Sequence, residues 1–154
     1  MDPGFKAHVD SLAGLLRQLL KAAPAPVGAA PASMPRCGVY LLSENSVHLY
    51  VGRSNRLRER MGDHGHASSG QTKSAFAFRI TKETLADRTS SPPRGTREEL
   101  MQNRVFLKEF IRTKDRVARM EVRCVEVPDP VRQALCEIYA ATVLKTPYNH
   151  FNTH

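Results

Sequence analysis

The chain has 154 residues, 41% of them hydrophobic and 25% charged, which is the composition of one globular domain with room for one additional element. The formal net charge of +8 favours a polyanionic partner, nucleic acid first and an acidic membrane surface second, although a solubility requirement alone also produces such an excess. The leucine-rich start is interrupted by Arg17 and Gln18 and has no cleavage-site pattern, so we expect neither a signal peptide nor a membrane span there.

The chain contains Cys37, Cys124 and Cys136, which are widely spaced and include no CxxC pair. This pattern provides neither a disulfide framework nor a zinc knuckle, so each thiol is expected to be a small buried side chain rather than a metal ligand. Such cysteine usage is typical of a reducing compartment, and we expect a cytoplasmic protein without membrane association.

The first predicted element is an amphipathic helix over residues 1–21, because apolar side chains recur at helical spacing from Phe5 to Leu20. Prolines at positions 24, 26, 31 and 35 predict a stiff, extended linker over residues 22–35. The helix is therefore predicted to be an appendage. Its apolar stripe would dock on the main domain, bind a protein partner or pair in a homodimer, and the sequence leaves these three alternatives open.

The main domain, residues 36–154, is predicted to be α+β. Its predicted elements in chain order are a strand over 38–42, a turn over 43–46, a strand over 47–52, a helix from Ser54 to about Asp63, a loop from His64 to Thr72, a short strand over 74–80, a helix from Thr96 to about Thr113, a strand over 120–127 and a helix from Asp129 to about Lys145. The first two strands form an antiparallel hairpin. Thr96 and Glu99 form a capping box, and Asp129-Pro130 is a helix start.

Positive charge is concentrated in one part of the chain. Residues 65–120 carry twelve basic and six acidic side chains, and this difference of +6 is most of the net charge of +8. We therefore expect this segment to contact the acidic partner.

The helix predicted after Ser54 carries a cationic strip. At 100° per residue, Arg53, Arg60 and His64 lie within about 40° of one another, beside the apolar stripe. Such a strip is most often a solvated basic face. Arg60 and His64, however, are on the side that packs on the sheet, where an unpaired charge is costly, and a phosphate would satisfy the arginine.

Two tyrosines lie in the strands of the predicted hairpin. Alternate residues share a face of a strand, so Tyr40 lies with Gly38 and Tyr50 lies with Gly52. A glycine beside a tyrosine leaves space on that face for a ligand or for a backbone segment. Two half-buried structural tyrosines are the alternative interpretation.

A single acidic residue, Glu137, lies in the last predicted helix beside a stripe of alanines. A carboxylate in that position is either exposed at the edge or held by a cation. With no second acidic residue near it in sequence, a protein cage for calcium or zinc is disfavoured, and magnesium fits better because it keeps several waters and accepts one carboxylate together with phosphate oxygens. Asn149, on the loop that follows, is a candidate to hydrogen-bond a tyrosine or a water.

The order and spacing of these residues resemble the GIY-YIG nuclease family. The matching positions are Gly38-Val39-Tyr40, Tyr50-Val51-Gly52, Arg60, His64, Glu137 and Asn149 within Pro147-Tyr148-Asn149. The resemblance covers residues 37–64 and 117–149. Valine replaces isoleucine in both triplets, and Arg53 stands where many members have lysine or a small residue. Residues 65–116 form a longer connection than a minimal family domain needs.

The resemblance implies an α+β fold with a small antiparallel three-stranded sheet flanked by helices. Outside the matched residues, the sequence itself predicts an appended N-terminal helix and a basic helical insertion at about 65–116. The resemblance further implies a divalent-metal-dependent endonuclease that hydrolyses DNA phosphodiester bonds, with Mg²⁺ or Mn²⁺ on Glu137. Inserts in the family often recognise the substrate, so the basic insertion is expected to contribute to DNA binding.

The resemblance also assigns roles to individual side chains. It implies the catalytic residues Tyr40, Tyr50, Arg60, His64, Glu137 and Asn149 and the phosphate-binding residues Arg53, Arg56 and Arg60. Arg60 would stabilise charge on the phosphoryl oxygens, and Tyr50 and Asn149 would position water or phosphate. Tyr40 or His64 would deprotonate the attacking water, and the sequence does not decide between them.

Two alternatives of a different class remain from the sequence. One is a DNA-binding module that keeps the nuclease fold without cleaving DNA. The other is a basic adaptor whose N-terminal helix recruits a second protein. The presence of all six expected residues favours the endonuclease over the non-cleaving module, whereas in the adaptor nuclease activity would be secondary.

Overall fold

The computed structural model describes residues 1–66 and 74–151. The chain divides into two compact units. The first unit consists of Met1–Pro26, Ala30–Arg60 and Met120–His154, and the second consists of Val27–Ala29 and Met61–Arg119. The fold is α+β with an antiparallel sheet, as the sequence predicts.

The first unit contains the whole sheet. Its elements are α1 (Pro3–Lys21), β1 (Ala25–Pro26), β2 (Gly38–Glu44), β3 (Val47–Ser54), the first turn of α2 (Leu57–Gly65), β4 (Glu121–Glu126) and α6 (Pro130–Leu144). The strand order is β1-β4-β2-β3, and each neighbouring pair is antiparallel.

The sheet has four strands, and the expectation of three strands is wrong. The additional strand, β1, lies in the predicted linker, where Ala25 pairs with Val122 and Pro26 pairs with Glu121. A proline-rich segment is already extended, and proline is tolerated at a sheet edge because its missing N–H faces away from the ladder. A two-residue strand is too short to produce a hydrophobic period, so the sequence does not reveal it.

The hairpin of β2 and β3 forms as predicted, with β2 extended to Glu44. Asn45 and Ser46 connect the strands with φ values of 50° and 64°. Two central residues with positive φ are the signature of the type I′ turn, whose twist matches that of the flanking strands. The register shifts by one residue between Leu42 and Ser43, and beyond this irregularity Tyr40 lies opposite Gly52.

The apolar stripe of α1 packs into the core of the first unit. That core consists of Leu12, Leu16, Leu19, Val39, Leu41, Val51, Val125, Val127, Cys136, Ala140 and Ala141. Helices α1 and α6 therefore both pack on the sheet. Of the three alternatives for the N-terminal helix, the structure shows the first, in which the helix docks on the unit that contains the hairpin. Asp2 caps α1 by accepting a hydrogen bond from the backbone N–H of Phe5 at 2.8 Å.

The start of α2 differs from the prediction. Arg53 belongs to β3, and α2 begins at Leu57, so the expectation that Arg53 lies on the helix with Arg60 and His64 is wrong. The Ser54 hydroxyl accepts a hydrogen bond from the N–H of Arg56 at 2.9 Å, which forms the turn between strand and helix. At the other end α2 continues to Gly65, and most of the loop predicted up to Thr72 lies outside the described residues.

The second unit is helical in its described part. It contains the rest of α2, a 3₁₀ turn (Val27–Ala29), α3 (Ala75–Thr89), α4 (Arg97–Gln102) and α5 (Arg104–Arg119). The prediction of a strand over 74–80 is wrong, because these residues open α3. A short apolar run does not distinguish a buried strand from a buried helix, and alanines at 75 and 77 favour the helix.

The helix predicted from Thr96 to Thr113 is two helices. The capping box forms as predicted, with Thr96 and Glu99 bonded to each other's backbone N–H. The chain then breaks at Asn103, whose side-chain oxygen accepts hydrogen bonds from the N–H groups of Val105 and Phe106 and caps α5. Helix α5 then continues to Arg119.

The described helices include none that is both long and apolar enough to cross a membrane.

Candidate active site

Tyr40 and Gly52 are opposite each other in the ladder between β2 and β3. A Cβ atom added at Gly52 would overlap the hydroxyl end of the Tyr40 ring. The ring therefore lies flat across the glycine, and the Tyr40 side chain is buried. Glycine is required here because only a residue without a side chain leaves room for the phenol.

Gly38 has a different reason to be glycine. Its φ is 151°, and a Cβ atom there would overlap the backbone carbonyl of Val125 in β4. The sequence leaves open whether a ligand or a backbone approaches the glycines of the two triplets. In this unit a backbone fills the space at Gly38 and a tyrosine ring fills it at Gly52.

Arg60 is bonded to the buried phenol. Its Nε donates to the Tyr40 hydroxyl at 3.3 Å, from the first turns of α2. The rings of Tyr40 and Tyr50 are 6.1 Å apart between centroids and tilted by 52°. Hydrogen bonds with Tyr40 and with Arg60 also act on the Tyr50 hydroxyl and oppose the rise in its pKa that burial causes. The Arg60 guanidinium thus interacts with both phenols, which share one face of the hairpin.

Glu137 of α6 forms an ion pair with Arg53, near the end of β3. Arg53 Nε lies 3.0 Å from Glu137 Oε2, and the Glu137 side chain is 22% exposed. After burial, the largest cause in each case, the charge of Glu137 contributes to the raised pKa of Tyr50 and of Tyr40, and the charge of Arg60 opposes the rise in the pKa of Glu137. The acid, the two phenols and the two guanidiniums are therefore close enough to act as one electrostatic cluster.

Both phenols have a pKa above the ordinary value. Burial is the largest cause for Tyr40, followed by the charge of Tyr50, and Arg60 opposes both. Burial is also the largest cause for Tyr50, followed by the charge of Glu137. Each tyrosine therefore carries its proton at neutral pH and is a hydrogen-bond donor there.

The carboxyl of Glu137 also has a raised pKa. Burial is the largest cause, and it outweighs the hydrogen bond and the charge of Arg53, which act in the opposite direction. A buried carboxylate whose negative charge is only partly balanced by an arginine is a suitable ligand for a further cation.

The donor set available for such a cation is small. In the described ranges 1–66 and 74–151, no three His, Cys, Asp or Glu side chains form a metal cluster. One partly exposed carboxylate fits Mg²⁺ or Mn²⁺, which retain water ligands and bind substrate phosphate oxygens, but does not fit a structural zinc site. Cys124 and Cys136 are free thiols whose burial raises their pKa to about 12 and about 11.

Asn149 is bonded to the backbone of β3. Its side-chain oxygen accepts from the Val51 N–H at 2.8 Å and its side-chain nitrogen donates to the Val51 carbonyl at 2.7 Å. The Thr146 hydroxyl donates to the same oxygen at 2.7 Å. Asn149 thus covers the edge of β3 beside Tyr50, which is a positioning role. The sequence patterns give no signal for Thr146.

Arg56 directly precedes α2, is exposed, and is not part of the cluster around Tyr40. Its side chain is 74% exposed and pairs with Glu59 at 3.1 Å. One helical turn further along α2 lies Arg60, whose side chain is partly buried.

His64 belongs to the second unit. The side chain is fully buried, and its ring contacts that of Phe76 edge to face with 6.0 Å between centroids. The first unit therefore brings together Tyr40, Tyr50, Arg60, Glu137 and Arg53, with Asn149 behind Tyr50.

No protein-family model, curated protein or solved structure matches the chain.

Proposed function

We propose that this chain is a divalent-metal-dependent endonuclease that hydrolyses DNA phosphodiester bonds. The observation that carries the proposal is the cluster in the first unit, in which Arg60 bonds the Tyr40 phenol while Glu137 lies within electrostatic reach of both tyrosines. These side chains come from separate segments of the chain, and their order in the sequence resembles that of the GIY-YIG family.

The two guanidiniums provide positive charge for a phosphodiester. Arg60 stabilises the negative charge that builds up on the phosphoryl oxygens during attack by water. Arg53 balances Glu137 and is 46% exposed, so its guanidinium is accessible to substrate. Arginine suits this role because it stays charged at any working pH and binds phosphate through two parallel hydrogen bonds.

The phenols act as donors rather than as bases. Because burial raises the pKa of Tyr40 and Tyr50, both are protonated at neutral pH. Tyr50 is partly exposed and can hydrogen-bond a phosphate oxygen or orient a water, while the buried Tyr40 holds Arg60 in place. Glu137 would hold Mg²⁺ or Mn²⁺, which supplies Lewis-acid stabilisation of the phosphate and leaving oxygen when bound. A single partly exposed carboxylate is sufficient for such an ion in the presence of substrate phosphate.

The second unit supports DNA binding through α5. The exposed cations Arg104, Lys108, Arg112 and Arg119 lie within a sector of about 80° on this helix, over about 22 Å of its length. Only Asp115 interrupts the strip, and Glu109, which pairs with Arg112, lies on the buried side. A strip of this kind suits a nucleic-acid backbone, whose charge is regularly spaced.

Nicking of supercoiled plasmid tests the proposal. We expect cleavage with Mg²⁺ or Mn²⁺ and none with EDTA, and we expect Glu137→Gln to lower the rate at least about 100-fold while DNA affinity without metal stays within twofold. Glu126→Gln, which removes an exposed acid from β4, is the matched control and should cleave like the wild type. A wild-type chain that binds DNA without nicking it would instead be the non-cleaving binding module.

A further inference from the structure

A cleft of about 340 Å³ opens in the first unit between the segment that precedes β2 and the first turn of α2. Its apolar lining comes from Met34 and Leu57, and its charged lining comes from Arg36, Arg56 and Arg58 together with Glu59. A hydrogen bond of 2.9 Å from the Leu57 N–H to the Arg36 carbonyl holds the two walls together. The cleft is separate from the cluster around Tyr40 and Glu137.

The three guanidiniums of the cleft differ in the partners that they contact. Arg58 donates to the carbonyls of Pro31 at 3.2 Å and Ala32 at 2.8 Å, which fixes its side chain. Arg56 pairs with Glu59. Arg36 forms no ion pair within the described part of the chain.

The cleft therefore carries three positive charges against one negative charge. Like charges on one small surface repel each other, and an anion placed between them removes this repulsion. The guanidinium geometry matches the oxygens of a phosphate. The chemistry of the lining thus favours a phosphate group over a neutral ligand.

The cleft is also close to the proposed scissile phosphate along α2. The Arg60 N–H donates to the Arg56 carbonyl at 2.9 Å, so Arg56 lies one helical turn before the arginine that bonds Tyr40. Four residues of helix rise about 6 Å, which is comparable to the separation of neighbouring phosphates along one DNA strand. A strand whose phosphate contacts Arg60 can therefore reach the cleft with a phosphate one or two nucleotides away.

We propose that this cleft is a second phosphate site, in which Arg36 and Arg56 bind one backbone phosphate of the substrate strand, one or two nucleotides from the cleaved bond. The inference rests on the proposed endonuclease function, because it uses the same strand. Glu59 weakens the site by neutralising Arg56, so its removal strengthens binding. Arg58 acts as a positioning residue that holds the segment 31–32.

The test is the salt dependence of binding to a fluorescein-labelled 30-base-pair duplex without divalent metal. In the double variant Arg36→Gln/Arg56→Gln, we expect the slope of log K against log salt to become shallower by about 0.9, since the site neutralises one phosphate and each neutralised phosphate contributes about 0.9. The fall in affinity between 50 and 200 mM salt should then be about 3.5-fold smaller than in the wild type. Glu59→Gln should change affinity in the opposite direction.

The double variant Arg17→Gln/Lys21→Gln is the matched control. It removes the same charge from exposed positions on α1 and should leave the slope within about 0.3 of the wild type. Equal slopes for the two double variants would overturn the phosphate site. If the wild type nicks plasmid and the slopes are equal, only the second site fails. If the slope changes as expected but the wild type does not nick, only the cleavage proposal fails.

Discussion

Arg53 and Glu137 are 84 residues apart in the sequence and form an ion pair of 3.0 Å between the end of β3 and the middle of α6. The pair is partly open to water, with Arg53 46% and Glu137 22% exposed, so it contributes at most about 1 kcal/mol to stability. Its larger consequence is electrostatic. Burial raises the pKa of Glu137, the candidate metal ligand, and Arg53 offsets part of that rise.

Replacement of Arg53 by glutamine should therefore change the pH dependence of cleavage. Without the arginine, the pKa of Glu137 rises further, and a metal ion binds only the ionised carboxylate. We expect the acidic limb of the pH–rate profile, measured between pH 5 and 8 at limiting Mg²⁺, to move to higher pH. Arg123→Gln, which breaks the pair with Glu121 in the same unit, is the control, and a limb that moves equally in both variants would contradict the assignment.

Gly52→Ala should displace Tyr40. The added methyl group would overlap the Tyr40 hydroxyl and Cζ, and the buried ring has little room to move. We expect a loss of about 1–3 kcal/mol in the free energy of unfolding by urea, together with loss of nicking. Gly14→Ala is the control, because a Cβ there meets only the end of the Arg17 side chain at 3.9 Å within α1, and it should stabilise the protein by about 0.5–1 kcal/mol. Unchanged stability of Gly52→Ala would disprove the contact.

Tyr40→Phe should alter stability at alkaline pH. Because burial raises the pKa of Tyr40 in the folded state, the folded protein keeps a proton that the unfolded chain releases near pH 10. The unfolded state then binds fewer protons, so stability falls as pH rises above about 10. We expect urea midpoints of the variant to decline less steeply from pH 9 to 11 than those of the wild type. Parallel declines would show that the Tyr40 phenol is not protected in the folded state.

The docking of α1 predicts a difference between two adjacent leucines. Leu19 is 0% exposed in the core and Leu20 is 38% exposed, although both are equally apolar. Leu19→Ala should lower the free energy of unfolding by about 2–5 kcal/mol, whereas Leu20→Ala should cost less than about 1 kcal/mol. Urea unfolding of both variants measures this. Equal small losses would mean that α1 is an appendage after all.

Local patterns in the sequence were sufficient for several elements. The hairpin of β2 and β3, the capping box of Thr96 and Glu99 and the helix that begins after Asp129 all formed where they were predicted. In each case the hydrogen bonds or apolar periods that specify the element lie within a few residues of one another. The short apolar run over 74–80 was predicted wrongly because its local pattern suits both a strand and a helix.

The sequence by itself determined the α+β class, the hairpin of β2 and β3, and the set of polar residues available to a site. Only the tertiary structure decided that α1 packs on the sheet, that Arg53 pairs with Glu137, and that Asn149 bonds the backbone of Val51. The physical reason is distance along the chain. The last two contacts join residues that are 84 and 98 positions apart in the sequence. All three contacts depend on how distant segments pack on the sheet rather than on any preference of the local backbone.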